Sequence, residues 1–215
     1  MGLLVVRATM AAMTMQIRKG EIVETADHRV LMSGISWSHY ELMLEMRGER
    51  RQPRMAYLDG VLELRSTSED HERITCWIRS LLEVYMLETG MDFGGYGSYT
   101  MTERADLAGA EADQCYRLGL DQTKGRSPDL AIEVIWTHGG VDKLEIYRRL
   151  GVREVWFWDD GAIEVHALVG AAYERRDRSL VVPGIDLGLL ARYLDEPLMS
   201  AAIREYREAL IGQRT

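Results

Sequence analysis

Apolar residues recur at helical spacing most clearly after residue 68. The run Ser66-Thr67-Ser68-Glu69-Asp70-His71-Glu72 supplies capping residues and first-turn acids, and Ile74, Ile78, Leu81, Leu82 and Tyr85 follow on one face, up to Gly90. This predicts a long helix over about 69–89. A shorter helix is predicted from Ser36 as cap, with Leu42 and Met46 along one side and a stop near Gly48. Segment 141–150, with Leu144, Tyr147 and Leu150 on one side and Gly151 after it, predicts another. Segments 187–193 and 198–210 read as closing helices.

Strand patterning fills the intervals. Residues 55–65 read as a hairpin about the two-residue turn Asp59-Gly60. Segments 98–102 and 111–118 read as strands. After Pro128 the nearly continuous apolar run 129–136 has the character of a buried central strand. Segment 152–158 turns at Asp159-Asp160-Gly161 into 163–168, and 173–175 with 180–182 would add an edge hairpin. Gly94, Gly95 and Gly97 lack the spacing and following helix of a nucleotide-binding loop, so they predict a turn. Segments 18–24 and 28–32 read as irregular lead-in or a short edge strand, and residues 1–15 as a loose extension. The expected organisation is an N-terminal extension and lead-in over 1–35, a mixed α/β domain over 36–195, and a C-terminal helix over 196–215.

Composition narrows the functions. The chain has 215 residues, 47% hydrophobic and 28% charged, ordinary for a globular protein with a buried core. No apolar run reaches the roughly 18 residues needed to cross a bilayer, and the N-terminal stretch is a poor secretory signal. A net charge of −8 argues against a protein that coats nucleic acid, though not against an enzyme touching it through one basic patch. Arg47, Arg50, Arg51 and Arg54 form the densest basic stretch, either a solvated loop or a phosphate-contacting edge. Cys76 and Cys115 give no disulfide framework; both read as buried small hydrophobes, a usage that fits a reducing cytoplasm.

The informative residue is Glu133. A carboxylate within a buried strand costs several kcal/mol unless it is paired or binds a cation. Alternation places Asp129, Ala131, Glu133 and Ile135 on one face. If segments 111–118 and 129–136 are neighbours, Asp113 converges on Glu133, and two such carboxylates favour a shared divalent cation, Mg²⁺ or Mn²⁺. Lys143, ten residues beyond Glu133 on the next predicted helix, is a candidate to polarise a metal-bound water or neutralise developing charge. Taken singly, a buried Glu is more often structural and a helix Lys more often a surface residue.

These residues also resemble a known family. PDLAIEV at 128–134, Lys143, Tyr147 and GVREVWFWDD at 151–160, with YLDGVLELRSTSEDHERI at 57–74 and EADQCYRL at 111–118, are similar to the Uma2 family, also called DUF820. Its members are identified as restriction-endonuclease-like proteins of the PD-(D/E)XK nuclease superfamily. The resemblance covers about residues 36–195. It implies a restriction-endonuclease-like α/β fold with a mixed central sheet flanked by helices. It implies a Mg²⁺ (or Mn²⁺) site in which Asp113 and Glu133 are the acidic ligands and the Val134 carbonyl completes the shell. Ile135 stands where a typical superfamily member has lysine, so Lys143 takes that part from the following helix. Glu63 and His71 are implied as further polar residues at the mouth of the site; His71 also reads as a residue of the helix cap. Trp136-Thr137-His138 departs from the family's usual sequence after the Glu-Val run.

Three functions use this set. The first is a metal-dependent endonuclease acting on DNA, expected to work as a homodimer because cutting a duplex needs two sites. The second is a catalytically silent nuclease-fold binding module, and the third a hydrolase of another phosphate ester. No Ser-His-Asp or Cys-His spacing supports acyl transfer.

Overall fold

The computed structural model describes residues 5–8, 15–18, 21–24, 26–136 and 138–212. In chain order the first elements are β1 (Val5–Ala8), β2 (Met15–Arg18), β3 (Glu21–Glu24), β4 (His28–Ser33), α1 (Trp37–Arg47), β5 (Arg54–Leu58) and β6 (Val61–Ser66). Then come α2 (Glu69–Thr89), β7 (Phe93–Gly95), β8 (Thr100–Glu103), β9 (Ala108–Glu111), β10 (Gln114–Leu118), β11 (Leu130–Ile135) and α3 (Lys143–Arg149). The chain closes with β12 (Glu154–Asp159), β13 (Ala162–Val169), β14 (Ala172–Arg176), α4 (Leu187–Arg192), a 3₁₀ turn (Tyr193–Asp195) and α5 (Met199–Gly212). Most of the expected extension over 1–15, and Thr137, lie outside the described residues.

The chain divides into two compact units, each with its own six-stranded sheet. The first comprises Met1–Glu72, Thr100–Glu111 and Trp136–Leu150. Its sheet runs β1-β4-β6-β5-β9-β8, with every neighbouring pair antiparallel. The predicted hairpin is β5–β6, and both turn residues take positive φ, Asp59 at 46° and Gly60 at 86°, as a tight two-residue turn requires. Ser36 caps α1 as expected, accepting from the His39 amide at 3.3 Å. Against this hairpin pack Ile35, Trp37 and Tyr40, with Tyr40 stacked on Tyr57 at 5.0 Å and Trp37 edge-on to both rings.

That aromatic cluster fixes one glycine. A Cβ on Gly109 of β9 would sit 2.4 Å from Tyr40 Oη, and Tyr40 is wholly buried. Gly109→Ala is therefore expected to overpack the core at a cost of about 1–3 kcal/mol. A urea melt would register it as a lowered midpoint at unchanged slope, and Gly109→Ala/Tyr40→Phe, without the hydroxyl, should recover part of the loss.

The second unit comprises Arg73–Tyr99, Ala112–Ile135 and Gly151–Thr215. Its sheet runs β14-β13-β12-β11-β10-β7. Only β11–β12 is parallel, so the sheet is mixed, as the fold class anticipated. β11 and β12 are buried almost end to end, which accounts for their nearly unbroken apolar sequences. In α2 the predicted stripe of Ile74, Ile78, Leu81, Leu82 and Tyr85 is buried, and Tyr85 Oη donates to the Pro183 carbonyl at 2.8 Å. The architecture is mixed α/β, with two six-stranded sheets flanked by helices and a separate two-stranded ribbon of β2 and β3.

Several expectations need correction. Segment 111–118 is not one strand: β9 ends at Glu111 in the first sheet and β10 begins at Gln114 in the second, with Asp113 at the bend between them. Glu111 is drawn into the first sheet because its carboxylate accepts from Arg47, the Met55 amide and Thr100 Oγ1. Segment 28–32 belongs to β4, an interior strand between β1 and β6, not an irregular stretch or an edge. The glycine stretch 93–95 is a strand rather than a turn. Segment 180–182 forms no strand; Glu154 gathers it by accepting from Ser179 Oγ and the Leu180 amide. Cys76 is exposed on the polar face of α2, whereas Cys115 is buried as expected and burial pushes its thiol up to about 12.

Candidate metal centre

β10 and β11 run antiparallel with Gln114 opposite Ile132, Cys115 opposite Ala131 and Tyr116 opposite Leu130. Asp113 stands at the bend one residue before β10, outside the paired register. Both carboxylates are buried, Asp113 at 1% and Glu133 at 2% exposure. Asp113 is not held by strand pairing; its Oδ2 accepts the Val134 amide at 2.8 Å, tying the bend to β11 one residue beyond Glu133. Asp113, Glu133 and Val134 are thus brought together in the second unit.

The donor set suits a hard divalent cation. Two carboxylates of like charge in a buried place repel unless a cation or proton lies between them, and carboxylate with carbonyl oxygens is the ligand chemistry of Mg²⁺ and Mn²⁺. Among the described residues no group of three or more His, Cys, Asp and Glu side chains converges.

Asp129, on the same face by alternation, serves differently. Its carboxylate accepts from Arg126 at 2.6 Å, Arg153 at 3.1 Å and the Leu118 amide at 2.8 Å. Burial pushes this carboxyl upward, but the Arg126, Leu118 and Arg153 hydrogen bonds outweigh it and hold Asp129 below the usual carboxylate range. It is an anchor for the start of β11.

The other candidates lie in the first unit. Lys143 is the first residue of α3, half-buried, after Asp142 caps the helix by accepting the Glu145 amide at 3.0 Å. Glu63 in β6 is 2% exposed; its Oε2 accepts the Val141 amide at 3.2 Å and lies 3.4 Å from Arg29 Nε. His71 is wholly buried in the first turn of α2, and its Nδ1 lies 2.8 Å from Asp27 Oδ2. As the capping reading expects, the His71 amide donates to Ser68 Oγ, while its ring is taken up by the Asp27 carboxylate. Of the four arginines, Arg47 pairs with Glu111 and Arg54 with Glu72, while Arg50 and Arg51 are exposed.

Asp27, Arg29 and Gly140 are the residues that reading the sequence missed. Asp27 and Arg29 lie in and beside a segment too short and irregular in pattern to draw notice. Gly139-Gly140 was visible as punctuation, but not its reason. Burial pushes the Asp27 carboxyl upward, but its hydrogen bond and charge pairing with His71, the Ser68 amide and Arg65 prevail and hold it below the usual carboxylate range. A carboxyl depressed on folding contributes stability above its unfolded pKa and loses it as pH falls through the folded value. Asp27→Asn is therefore expected to destabilise at pH 7 by up to about 3 kcal/mol, as breaking a buried pair does. The gap from wild type should shrink as urea midpoints are followed from pH 5 down to pH 3.

The chain matches the model of the Uma2 family, described as "Putative restriction endonuclease", over residues 37–187. The chain belongs to the Uma2 family. Among solved structures this Uma2 protein is similar to "a putative nuclease belonging to DUF820" from Anabaena variabilis, at 11% identity and TM-score 0.44. That match covers 77% of this chain and 98% of the other. No curated protein matches it. No helix among the described residues of this Uma2 chain is long and apolar enough to cross a membrane.

Proposed function

We propose that this Uma2 protein is a metal-dependent endonuclease that hydrolyses phosphodiester bonds of DNA. Asp113, Glu133 and the Val134 carbonyl would hold Mg²⁺ or Mn²⁺. The observation that carries the reading is the hydrogen bond that ties buried Asp113 to the Val134 amide, next in the chain to buried Glu133, in a family described as "Putative restriction endonuclease". When bound, such a cation supplies a Lewis acid for a water and a phosphoryl oxygen.

The chain's own residues have separate tasks. Asp113 is pre-oriented by the Val134 amide, so its carboxylate needs no reorganisation to act as a ligand. Glu133 is presented from a rigid central strand. Lys143 is assigned the task of orienting the attacking water and countering charge on the phosphoryl group; its place ten residues beyond Glu133 and the family resemblance support this. The family resemblance supports Glu63 and His71 as supporting polar residues outside the cation's ligand set. Arg50 and Arg51, exposed and basic, suit phosphate contacts, whereas Arg47 and Arg54 are engaged in ion pairs. A homodimer would supply the second site for the second strand of a duplex.

The test is cleavage of supercoiled plasmid and of single-stranded DNA with Mg²⁺ or Mn²⁺ by wild type and Glu133→Ala. Nicking or linearisation by wild type alone, abolished by EDTA, is the expected result. A wild type inert on every nucleic acid overturns the reading in favour of a silent binding module, and equal cutting by both removes Glu133 from the site.

A further inference from the structure

Glu63 stands out because one oxygen of its buried carboxylate meets both a backbone amide and a guanidinium. Its Oε2 accepts the Val141 amide at 3.2 Å and faces Arg29 Nε at 3.4 Å. Val141 is two residues before Lys143, the residue that opens α3. The connection into that helix is shaped around this contact. Gly139 and Gly140 both take positive φ, 87° and 143°. A Cβ on Gly140 would lie 2.2 Å from Glu63 Oε2 and 3.3 Å from Arg29 Cζ. The backbone thus passes directly over the Glu63–Arg29 pair, closer than any residue but glycine permits. Glu63, Arg29, Gly140, Val141 and Lys143 all lie within the first unit.

We infer that Glu63 is a positioning residue: by holding the Val141 amide, with Arg29 as counter-charge, it sets where α3 begins and so where Lys143 stands. A strand of an antiparallel sheet is a stiff mount, and a buried charge-assisted hydrogen bond is stronger than a neutral one. Without it, the diglycine would leave the approach to α3 loosely fixed, since glycine gives the chain the most conformational freedom to lose. The inference rests on the nuclease reading for the task of Lys143, but the positioning itself does not depend on that task.

Two substitutions separate reach from charge. Glu63→Gln keeps the length and an acceptor oxygen for Val141 while removing the charge, and Glu63→Asp keeps the charge but is one methylene short. Gly140→Ala disturbs the same contact from the other side. Hydrogen exchange, measured on the metal-free protein, would report the amides of residues 138–146. Exchange there should rise about tenfold or more in Glu63→Asp and Gly140→Ala and by a clearly smaller factor in Glu63→Gln, which keeps the acceptor but loses the charge facing Arg29, with the β5–β6 amides unchanged as the control for folding. Where wild type cleaves DNA, kcat should follow the same order, with Glu63→Gln retaining most of it and KM little changed. Unchanged exchange in Glu63→Asp and Gly140→Ala overturns the inference, as does Glu63→Gln being as damaged as Glu63→Asp, the pattern of a direct metal ligand. If wild type cuts nothing, the nuclease reading falls, and exchange alone decides the positioning.

Discussion

Asp113→Asn is expected to lower metal-dependent cleavage on the order of 10³-fold or more, while the metal-free protein stays within about 1 kcal/mol of wild-type stability. The two effects come apart because the side chain has two tasks. As a hydrogen-bond acceptor it fixes the bend between β9 and β10 through the Val134 amide, and an asparagine oxygen can accept the same bond. As an anion it is proposed to share a cation with Glu133, the neighbour of the Val134 whose amide it accepts, and only this task is lost on substitution. A purely structural Asp113 predicts the reverse: Asp113→Asn would cut DNA as wild type does. Asp113→Ala, which deletes the acceptor too, should lose stability as well as cleavage. Plasmid nicking rates and urea midpoints for the two variants decide between these accounts.

Glu154→Ala should be among the most destabilising single changes, at about 3–5 kcal/mol. Glu154 is wholly buried at the start of β12, and its carboxylate accepts from Trp156 Nε1 at 2.6 Å, Ser179 Oγ at 2.5 Å and the Leu180 amide at 2.7 Å. Truncation strands three donors, each carrying a desolvation penalty of about 1–3 kcal/mol, and frees the segment that leads into α4. Glu154→Gln keeps acceptor oxygen but cannot serve all three donors, so an intermediate loss is expected. For a chain of this size each kcal/mol moves the melting temperature by roughly 2–4 °C. A loss of less than 1 kcal/mol for Glu154→Ala would mean that the 179–180 segment is held by something else.

What the sequence made legible, and what it did not, follows from range. α2, the β5–β6 hairpin and β11 were readable because their determinants are local: a capping run, Asp-Gly at a two-residue turn, and an apolar stretch opened by Pro128. The break at residues 112–113 was not, because Glu111 is claimed by Arg47, 64 positions away in the chain. Cys76 was misread because the helical stripe holds it between buried Thr75 and Trp77 while its own direction is outward. Two sheets instead of one central sheet could not be seen in strand patterns alone, since β9 and β10 are separated by only two residues. At the site, Glu133 announced itself as an acid in an apolar strand. Asp113 and Lys143 drew attention through resemblance as much as chemistry. The supports, Asp27 behind His71 and Arg29 behind Glu63, carried no local signature, because a buried pair is specified by two distant positions at once.

The central claim is that Asp113 and Glu133 share one divalent cation, and Mn²⁺ titration followed by electron paramagnetic resonance tests it without DNA. Wild type should remove free Mn²⁺ from solution with one site per chain. Asp113→Asn and Glu133→Gln should each weaken that site at least tenfold, while Asp129→Asn, which alters the neighbouring arginine-bound carboxylate, should leave it in place. Wild type and both site variants binding Mn²⁺ alike, or none of them binding it, would contradict the account.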